Sequence, residues 1–333
     1  MKKFLPLLMA LLLLAALAAC GAPAREDGDD KLRIVATAFP QYDWTRRILG
    51  EQSENIELTL LVDNGVDLHS YLPSVGDIAE ISDCDLFIHV GGESEAWVAD
   101  TLKSTANENR IVLSLLDLLG GRVKEEELIE GMEHDHEHED GHGHEHHDEP
   151  EIENGTPDEH VWLSLKNAQA VCGQIAETLG RLDPLNAELY ASNAGAYIAE
   201  LAALDAEYQS AVDSFENRAL LFGDRFPFRY LADDYGLTCY AAFPGCSAET
   251  EAGFETIIFL ANKLDELNLG TVMVLEGSGH SIAEAIIRAS NGGEREILAM
   301  DSMQSVTAAA ISSGVTYLSI MASNLEVLKE ALS

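Results

Sequence analysis

Residues 184–215 read PLNAELYASNAGAYIAELAALDAEYQSAVDSF, and this stretch decides the fold. After Pro184 it contains no further proline and only one glycine, and it is rich in Ala, Leu and Glu, which favour a helix. Asp183 and Pro184 supply a cap and a first-turn proline. We therefore predict one rigid linking helix over residues 183–215, about 45 Å long at about 1.5 Å per residue.

On each side of this helix, short apolar runs alternate with helix-like patterns. The runs before the helix are Leu32–Thr37, Ile56–Leu61, Leu86–Val90 and Ile111–Leu113, and those after it are Ala219–Phe222, Leu237–Tyr240, Thr271–Leu275 and Glu296–Met300. Strands that alternate with helices indicate parallel sheets covered by helices. The sequence therefore predicts an α/β fold with a first lobe over residues 31–182, a second lobe over residues 216–333, and a cleft between them.

The charge balance restricts the possible partners. Among 333 residues there are 20 Lys and Arg against 58 Asp and Glu, which gives a formal net charge of −38. Such a field repels phosphate backbones and attracts cations, so it excludes nucleic acid as a partner. Beyond the N-terminus no apolar run is long enough to cross a bilayer, which argues against a multi-span membrane protein.

Residues 1–19 begin with two lysines after Met1 and continue as an apolar run too short for a membrane-spanning helix, which predicts a secretory signal. The run ends at residues 17–20, LAAC, which resembles the bacterial lipobox. That resemblance implies lipid attachment at Cys20, a flexible tether over residues 20–30, and a protein exported and anchored to the outer face of the cell membrane. An ordinary signal peptide with an incidental cysteine is the alternative.

Four further cysteines could form disulfides, since an exported protein permits them. Cys239 and Cys246 are seven positions apart in the second half, and we predict this pair ahead of the other pairings. Cys84 precedes an apolar strand and Cys172 lies in a helical pattern, so both are interpreted as buried free thiols.

The segment 125–153 interrupts the alternation with 14 acidic residues, no Lys or Arg, and seven of the 11 histidines. It has no apolar periodicity, so we predict a disordered loop over residues 125–157. Clustered imidazoles among carboxylates indicate metal capture, with zinc the commonest partner of such side chains. The loop histidines are His134, His136, His138, His142, His144, His146 and His147.

The same loop contains a match to the metalloprotease motif H-E-x-x-H at residues 138–142. That motif has to lie on a helix so that both histidines share one face. Here Gly141 lies inside it and histidine recurs at every second or third residue, so we attribute the match to composition. With no G-x-S-x-G elbow elsewhere, we predict that the protein is not an enzyme.

Three histidines outside the loop lie in structured patterns. His89 is in the strand-like run LFIHV and is interpreted as a packed or hydrogen-bonded core residue. His69 lies in GVDLHSYLPS, residues 65–74, and His160 lies in DEHVWL, residues 158–163. These two segments resemble the signatures G-x-D-x-H-x-Y-x-P-S and D-x-H-V-W-L of the cluster A-I solute-binding lipoproteins, which deliver zinc or manganese to ABC importers.

The resemblance runs from about Ile34 to the C-terminus, and a His-rich insertion between the two histidines is common in the zinc branch of that family. It implies two pseudo-symmetric α/β lobes joined by a long helix, with one metal ion in the cleft. It further implies His69 and His160 as ligands, Zn²⁺ rather than the less favoured Mn²⁺ as the ion, and an ABC permease in the membrane as the partner. We expect a monomer.

The second-lobe part of the family's site is matched less well. The family carries His or Glu after a strand and before Ala-Phe-x-Tyr, whereas residues 221–230 read LFGDRFPFRY and place Arg225 at the ligand position. A guanidinium has no lone pair to donate, so we expect Arg225 to point away and pair with a carboxylate. Either Asp224 supplies an oxygen, or this ligand is lost and His280, after a neighbouring strand, replaces it. The family's last ligand is an Asp after a strand, matched by Asp301.

Three classes of function fit parts of this pattern. A metal receptor for an importer accounts for the anchor, the cleft, the His-rich loop and the paired histidines together. A surface metal buffer or adhesin would use only the loop and the anchor. A zinc hydrolase needs an open coordination position and a general base, for which the sequence offers no motif. We therefore predict a zinc receptor, with a manganese receptor of the same type or a surface buffer or adhesin as the alternatives.

Overall fold

The computed structural model describes residues 31–104, 107, 109–129, 132, 155–246 and 252–333. The predicted signal and tether, Cys20, and the seven histidines of the acidic loop lie outside the described residues.

The first lobe is built on a parallel four-stranded sheet with the strand order β2-β1-β3-β4. Its strands are β1 Arg33–Ala36, β2 Glu57–Leu60, β3 Leu86–His89 and β4 Ile111–Ser114. Helices cover it, and they are α1 Phe39–Leu49, α2 Val75–Asp83, α3 Trp97–Ser104, α4 Leu115–Leu119 and α5 Leu165–Leu182. Every residue of β3 is buried, as expected for a strand covered on both faces.

The linking helix is α6, Ala187–Asp213, which has 27 residues and is about 40 Å long. A 3₁₀ turn over Pro184–Asn186 precedes it, so the α-helix begins four residues later than predicted. Its buried residues recur every three or four positions and include Tyr190, Ala194 and Tyr197, because one face packs against the rest of the protein.

The second lobe repeats the arrangement with the strand order β6-β5-β7-β8, again all parallel. Its strands are β5 Ala219–Phe226, β6 Thr238–Pro244, β7 Thr271–Leu275 and β8 Glu296–Met300. Its helices are α7 Arg229–Tyr235, α8 Phe254–Glu266, α9 Ser281–Ala289, α10 Ala308–Ser312 and α11 Tyr317–Leu332. The predicted α/β fold with two parallel sheets joined by one long helix is confirmed.

Strands β5 and β6 both run four residues past their predicted ends. The register of β5 shifts between Phe222 and Arg225, which places Asp224 in an irregularity of the strand. Pairing resumes beyond it, with Arg225 opposite Phe243 and Phe226 opposite Pro244. The extension carries both strands to the edge of the sheet where the carboxyl ends of the parallel strands lie.

The C-terminal helix α11 also contacts the first lobe. Its first residue, Tyr317, donates its backbone N–H to Asp43 Oδ2 at 2.9 Å and its hydroxyl to the carbonyl of Trp162 at 2.6 Å. The Tyr317 ring meets the edge of Trp44 with centroids 5.1 Å apart. The two lobes are therefore held together by α11 as well as by α6.

The cysteines correct one prediction and confirm another. Cys84 and Cys172 are buried free thiols, as expected. Cys239 and Cys246 are also free, so the predicted disulfide between them is wrong. Cys239 lies near the start of β6 and Cys246 lies just beyond its end, and seven residues of extended chain span about 20 Å. A disulfide needs Cα atoms within about 7 Å.

Within the described ranges, no helix has both the length and the apolar character that a membrane crossing requires.

Candidate metal centre

His160 is held in place by the aspartate two residues before it. Asp158 Oδ1 accepts both the backbone N–H of His160, at 2.9 Å, and its ring Nδ1–H, at 3.0 Å. The ring is fully buried and meets Trp162 with centroids 5.3 Å apart. Because Nδ1 carries the proton that Asp158 accepts, the lone pair of Nε2 is free to bind a metal ion.

His69 approaches His160 from a different loop of the first lobe. It lies in a 3₁₀ turn, Leu68–Ser70, whose cap Asp67 accepts the His69 backbone N–H at 2.9 Å. The two ring Nε2 atoms, one from His69 and one from His160, are 3.0 Å apart. Two nitrogens that each lie about 2.0–2.1 Å from a tetrahedral zinc ion are separated by about 3.3 Å. The pair is therefore already close to the spacing that zinc requires.

The other ring nitrogen of His69 contacts a hydroxyl. His69 Nδ1 lies 2.5 Å from Ser94 Oγ. Since His160 Nε2 accepts in the contact between the two rings, His69 Nε2 is the donor there, and its proton has to move to Nδ1 when Nε2 binds a metal ion. Ser94 Oγ permits this change because a hydroxyl both donates and accepts.

The environment keeps the His69 ring uncharged. Burial lowers the pKa of His69 to about 3, and the charge of the neighbouring His160 acts in the same direction. Only a neutral imidazole can coordinate a metal ion. At neutral pH His69 is therefore in the form that zinc binding needs.

Glu159 completes the surroundings of His69. Its Oε1 accepts the backbone N–H of Ser94 at 2.9 Å, and its Oε2 lies 3.8 Å from His69 Nδ1. Burial raises the pKa of the Glu159 carboxyl. The carboxylate fits only because residue 92 is glycine: a Cβ on Gly92 would come within 2.3 Å of Glu159 Oε1. Sequence reasoning did not single out Glu159 or Ser94.

A third donor, Cys246, lies beside the two histidines. One ligand atom from each of His69, His160 and Cys246 lies within 4.8 Å of the other two. Cys246 follows Gly245 at the carboxyl end of β6, and a Cβ on Gly245 would lie 2.9 Å from His160 Cε1. The Cys246 backbone N–H donates to Glu126 Oε1 at 3.2 Å.

Sequence reasoning missed Cys246 because it assigned this residue to a disulfide. A signal was nonetheless present, because Cys246 comes just after a strand of the second lobe. The carboxyl ends of neighbouring parallel strands are where ligand sites gather.

Arg225 points to a carboxylate of the first lobe, as predicted. Its guanidinium donates to Asp67 Oδ2 at 2.8 Å. Although burial raises the pKa of Asp67, the hydrogen bond and charge of Arg225 outweigh it and leave this pKa below its usual value. Asp67 therefore joins the His69 turn to β5 of the second lobe.

Asp224 is occupied by the backbone. Its Oδ1 accepts the N–H of Arg225 at 2.8 Å, and its Oδ2 accepts the N–H of Leu275 at 3.1 Å. It is not among the donors that cluster with the two histidines.

The other two predicted second-lobe ligands also lie outside the cluster. Asp301 Oδ1 accepts the backbone N–H of Met303 at 2.7 Å. Burial and the charge of Asp301 raise the pKa of Glu276 to about 7. His280 is exposed and precedes α9 with a φ of 57°. The ligand roles of Asp224, Asp301 and His280 stay predictions.

A glutamine from the loop after β8 reaches His69. Gln304 is 4% exposed, and its Nε2 lies 3.4 Å from His69 Nε2. Its other amide atom, Oε1, is buried without a hydrogen-bond partner among the described residues. A half-turn of the amide would direct this oxygen at the cluster. Sequence reasoning did not identify Gln304.

His89 behaves as the core residue that its strand predicts. Its Nδ1 contacts Glu95 Oε2 at 3.0 Å, and its ring stacks on Phe87 with centroids 5.3 Å apart.

The acidic insertion begins and ends beside the cluster. Glu125 pairs with Pro157 in an antiparallel bridge, and the N–H of Asp158 donates to the carbonyl of Lys124 at 2.8 Å. After this short ladder, His160 follows Asp158 by two residues. On the opposite strand of the ladder, Glu126 follows Glu125 and accepts the backbone N–H of Cys246.

The two lobes and the paired histidines agree with a known family. The family profile described as zinc-uptake complex component A, periplasmic, matches residues 34–331. The chain belongs to this ZnuA family.

Among curated relatives of this ZnuA-family chain, the zinc-binding lipoprotein AdcA of Streptococcus pneumoniae is 32% identical over 334 residues. That match covers 99% of this chain but only 61% of AdcA, so the chain spans about three fifths of that relative. The high-affinity zinc uptake system protein ZnuA of Bacillus subtilis is 28% identical, with 95% of this chain and 93% of the relative covered.

A solved structure shows the same architecture. The metal-dependent lipoprotein YcdH of Bacillus subtilis matches with a TM-score of 0.71 and 25% identity, covering 91% of this chain and 99% of YcdH.

Proposed function

We propose that this protein is an extracytoplasmic receptor that captures Zn²⁺ and delivers it to an ABC import permease. The observation that carries the proposal is the pair of imidazoles: His69 Nε2 and His160 Nε2 lie 3.0 Å apart, and Asp158 accepts the proton on the far side of His160. Carboxylate–histidine pairs of this kind orient the ring and strengthen it as a zinc ligand. The names of the relatives AdcA and ZnuA support zinc as the ion.

Binding in this receptor needs no covalent chemistry. His69 and His160 supply neutral nitrogens from the first lobe, and Asp301 is the carboxylate that the family resemblance adds from the second lobe. The net charge of −38 enriches cations near the cleft. A receptor that only binds and releases an ion has no use for a general base, which agrees with the prediction that the protein is not an enzyme.

The acidic insertion would collect the ion before the cleft binds it. Its seven histidines, residues 134–147, raise the local metal concentration, as tethered weak sites do. The Glu125–Pro157 bridge supports this role because it fixes the two ends of the insertion beside His160. Lipid attachment at Cys20 would keep the receptor at the membrane, next to the permease.

Two alternatives make different demands on these residues. A manganese receptor of the same type would share the fold, but hard Mn²⁺ prefers oxygen ligands to paired imidazoles. A surface metal buffer or adhesin would need only the insertion and the anchor, and it would leave the buried contact between His160 and Asp158 without a purpose.

Zinc titration of a protein without residues 130–154 tests the proposal. This deletion spares the ladder at Glu125–Pro157, so the support of His160 stays in place. Calorimetry should show that one tight equivalent survives while the weaker equivalents vanish. The matched control is His160→Ala in the shortened protein, which should remove the remaining site. If the shortened protein binds no zinc at all, the receptor proposal fails and the buffer is favoured.

A further inference from the structure

The second lobe does not supply a donor at the expected end of β5. Arg225 occupies that position, and its guanidinium is directed at Asp67 Oδ2, 2.8 Å away. Both oxygens of the preceding Asp224 accept backbone N–H groups. His69, His160 and the predicted carboxylate of Asp301 would give a zinc ion three protein ligands, one short of the four that closed zinc sites take.

The neighbouring strand places a sulfur atom at the cluster instead. Strands β5 and β6 are parallel, and Phe226 is paired with Pro244, so Cys246 lies two residues beyond the last pair, at the same edge of the sheet as Arg225. A ligand atom of Cys246 lies within 4.8 Å of one from each histidine, while ligand atoms around tetrahedral zinc are about 3.3–3.6 Å apart. A movement of about 1 Å would complete the site.

Two contacts hold the Cys246 loop in this place. The Cys246 backbone N–H donates to Glu126 Oε1, and Glu126 lies at the start of the acidic insertion. Gly245 packs against the His160 ring, where a Cβ would come within 2.9 Å of Cε1. The loop therefore approaches His160 as closely as its backbone allows.

We propose that Cys246 is a second-lobe ligand of the metal centre, so that the nitrogens of His69 and His160 and the sulfur of Cys246 form a donor set selective for zinc over manganese. This inference rests on the proposed function and names the ligand that makes the site specific. As the metal–sulfur bond forms, the thiol releases its proton to solvent. Thiolate sulfur favours zinc, whereas Mn²⁺ prefers carboxylate, carbonyl and water oxygens.

Cobalt substitution tests the ligand directly, because Co²⁺ bound to thiolate gives a charge-transfer band in the near ultraviolet. The probe is Co²⁺ added to metal-free protein. Wild type should show the band at one equivalent, Cys246→Ser should lose it, and Cys239→Ser should keep it. Cys239 is the matched control because it lies on the same strand, outside the cluster of close donors.

The outcomes separate this inference from the proposed function. If wild type binds one tight cobalt or zinc ion without a thiolate band, and His160→Ala abolishes that binding, the receptor stands and Cys246 is not a ligand. If neither ion binds tightly, the proposed function itself fails. Circular dichroism and thermal melting of each metal-free variant should match wild type, which excludes misfolding as the cause of a lost band.

Metal selectivity gives a second measurement. Cys246→Asp exchanges sulfur for oxygen, so it should lower the preference for zinc over manganese by at least tenfold in competition titrations. Cys246→His should keep zinc binding without the thiolate band. If Cys246→Asp leaves the zinc-to-manganese ratio unchanged, Cys246 does not set the selectivity.

Discussion

The two lobes position the donors of the candidate metal centre, His69, His160 and Cys246, in different ways. In the first lobe each histidine follows an aspartate by two positions, and that aspartate accepts the histidine's own backbone N–H at 2.9 Å, Asp67 for His69 and Asp158 for His160. In the second lobe the cysteine follows the end of a strand, and its backbone N–H donates to Glu126, which belongs to the first lobe.

The difference indicates which half of the site is pre-organised. The His160 ring is fully buried, only 10% of the His69 side chain is exposed, and the two Nε2 atoms face each other. The second-lobe donor, Cys246, still has to move by about 1 Å to reach tetrahedral spacing around zinc. A receptor that must release its ion benefits from one rigid half and one adjustable half, because opening the adjustable half removes ligands without unfolding the site.

The largest expected effect tests the rigid half. His160→Ala removes a ligand and leaves Asp158 without its ring partner, so zinc binding by the cleft should weaken at least 100-fold, about 2.7 kcal/mol. Competition against a chelator in the protein without residues 130–154 measures it. His280→Ala, an exposed position outside the cluster, is the control and should change nothing. An equal loss in both variants would restore His280 as a ligand.

Substitution of the two supporting aspartates should lower zinc affinity by less than His160→Ala does, and by different amounts. Asp158 accepts from the His160 ring, while Asp67 accepts from the His69 backbone and from Arg225. Asp158→Asn should therefore weaken zinc binding about tenfold to 100-fold, as outer ligands of metal sites do. Asp67→Asn should have a lesser effect on affinity. If the order of the two variants is reversed in the same competition assay, the Asp67–Arg225 pair, and not the Asp158 contact, orients the site.

The sequence also predicts the first-lobe half of the site better than the second-lobe half. All eight strands and the linking helix follow from apolar runs and from the composition of residues 184–215, because local periodicity determines these elements. His69 and His160 follow from short motifs in which the histidine and its supporting aspartate are two residues apart. Cys246 could not be found in this way, since its partners His69, His160 and Glu126 lie far away in sequence, in the other lobe, and only the tertiary fold brings them close.

Acid should destabilise the metal-free protein through His69. Its folded pKa, about 3, lies below the ordinary value of 6.5, so the unfolded chain binds more protons between these limits and the free energy of unfolding falls as pH falls through them. Between pH 7 and pH 5 this should cost about 1–2 kcal/mol. Glu276 acts in the opposite direction, because its folded pKa is raised to about 7.

Urea unfolding of wild type and His69→Gln at both pH values isolates the contribution of His69, since Glu276 is present in both proteins. The wild-type protein should lose more stability than the variant on acidification. Equal losses would show that the burial of His69 does not control the acid response.

The smallest expected effect on zinc binding is that of Asp224→Ala. This substitution distinguishes a structural carboxylate from a metal ligand. Its two oxygens accept the N–H groups of Arg225 and Leu275, so they tie β5 to the end of β7 and are not directed at the histidines. Asp224→Ala leaves both N–H groups without this partner and should lower the free energy of unfolding by about 1–3 kcal/mol. Zinc affinity should change less than about threefold, a difference below 1 kcal/mol. Denaturant unfolding and zinc competition on the same preparation measure both quantities. A tenfold loss of affinity with unchanged stability would instead identify Asp224 as the second-lobe ligand and make the cysteine unnecessary.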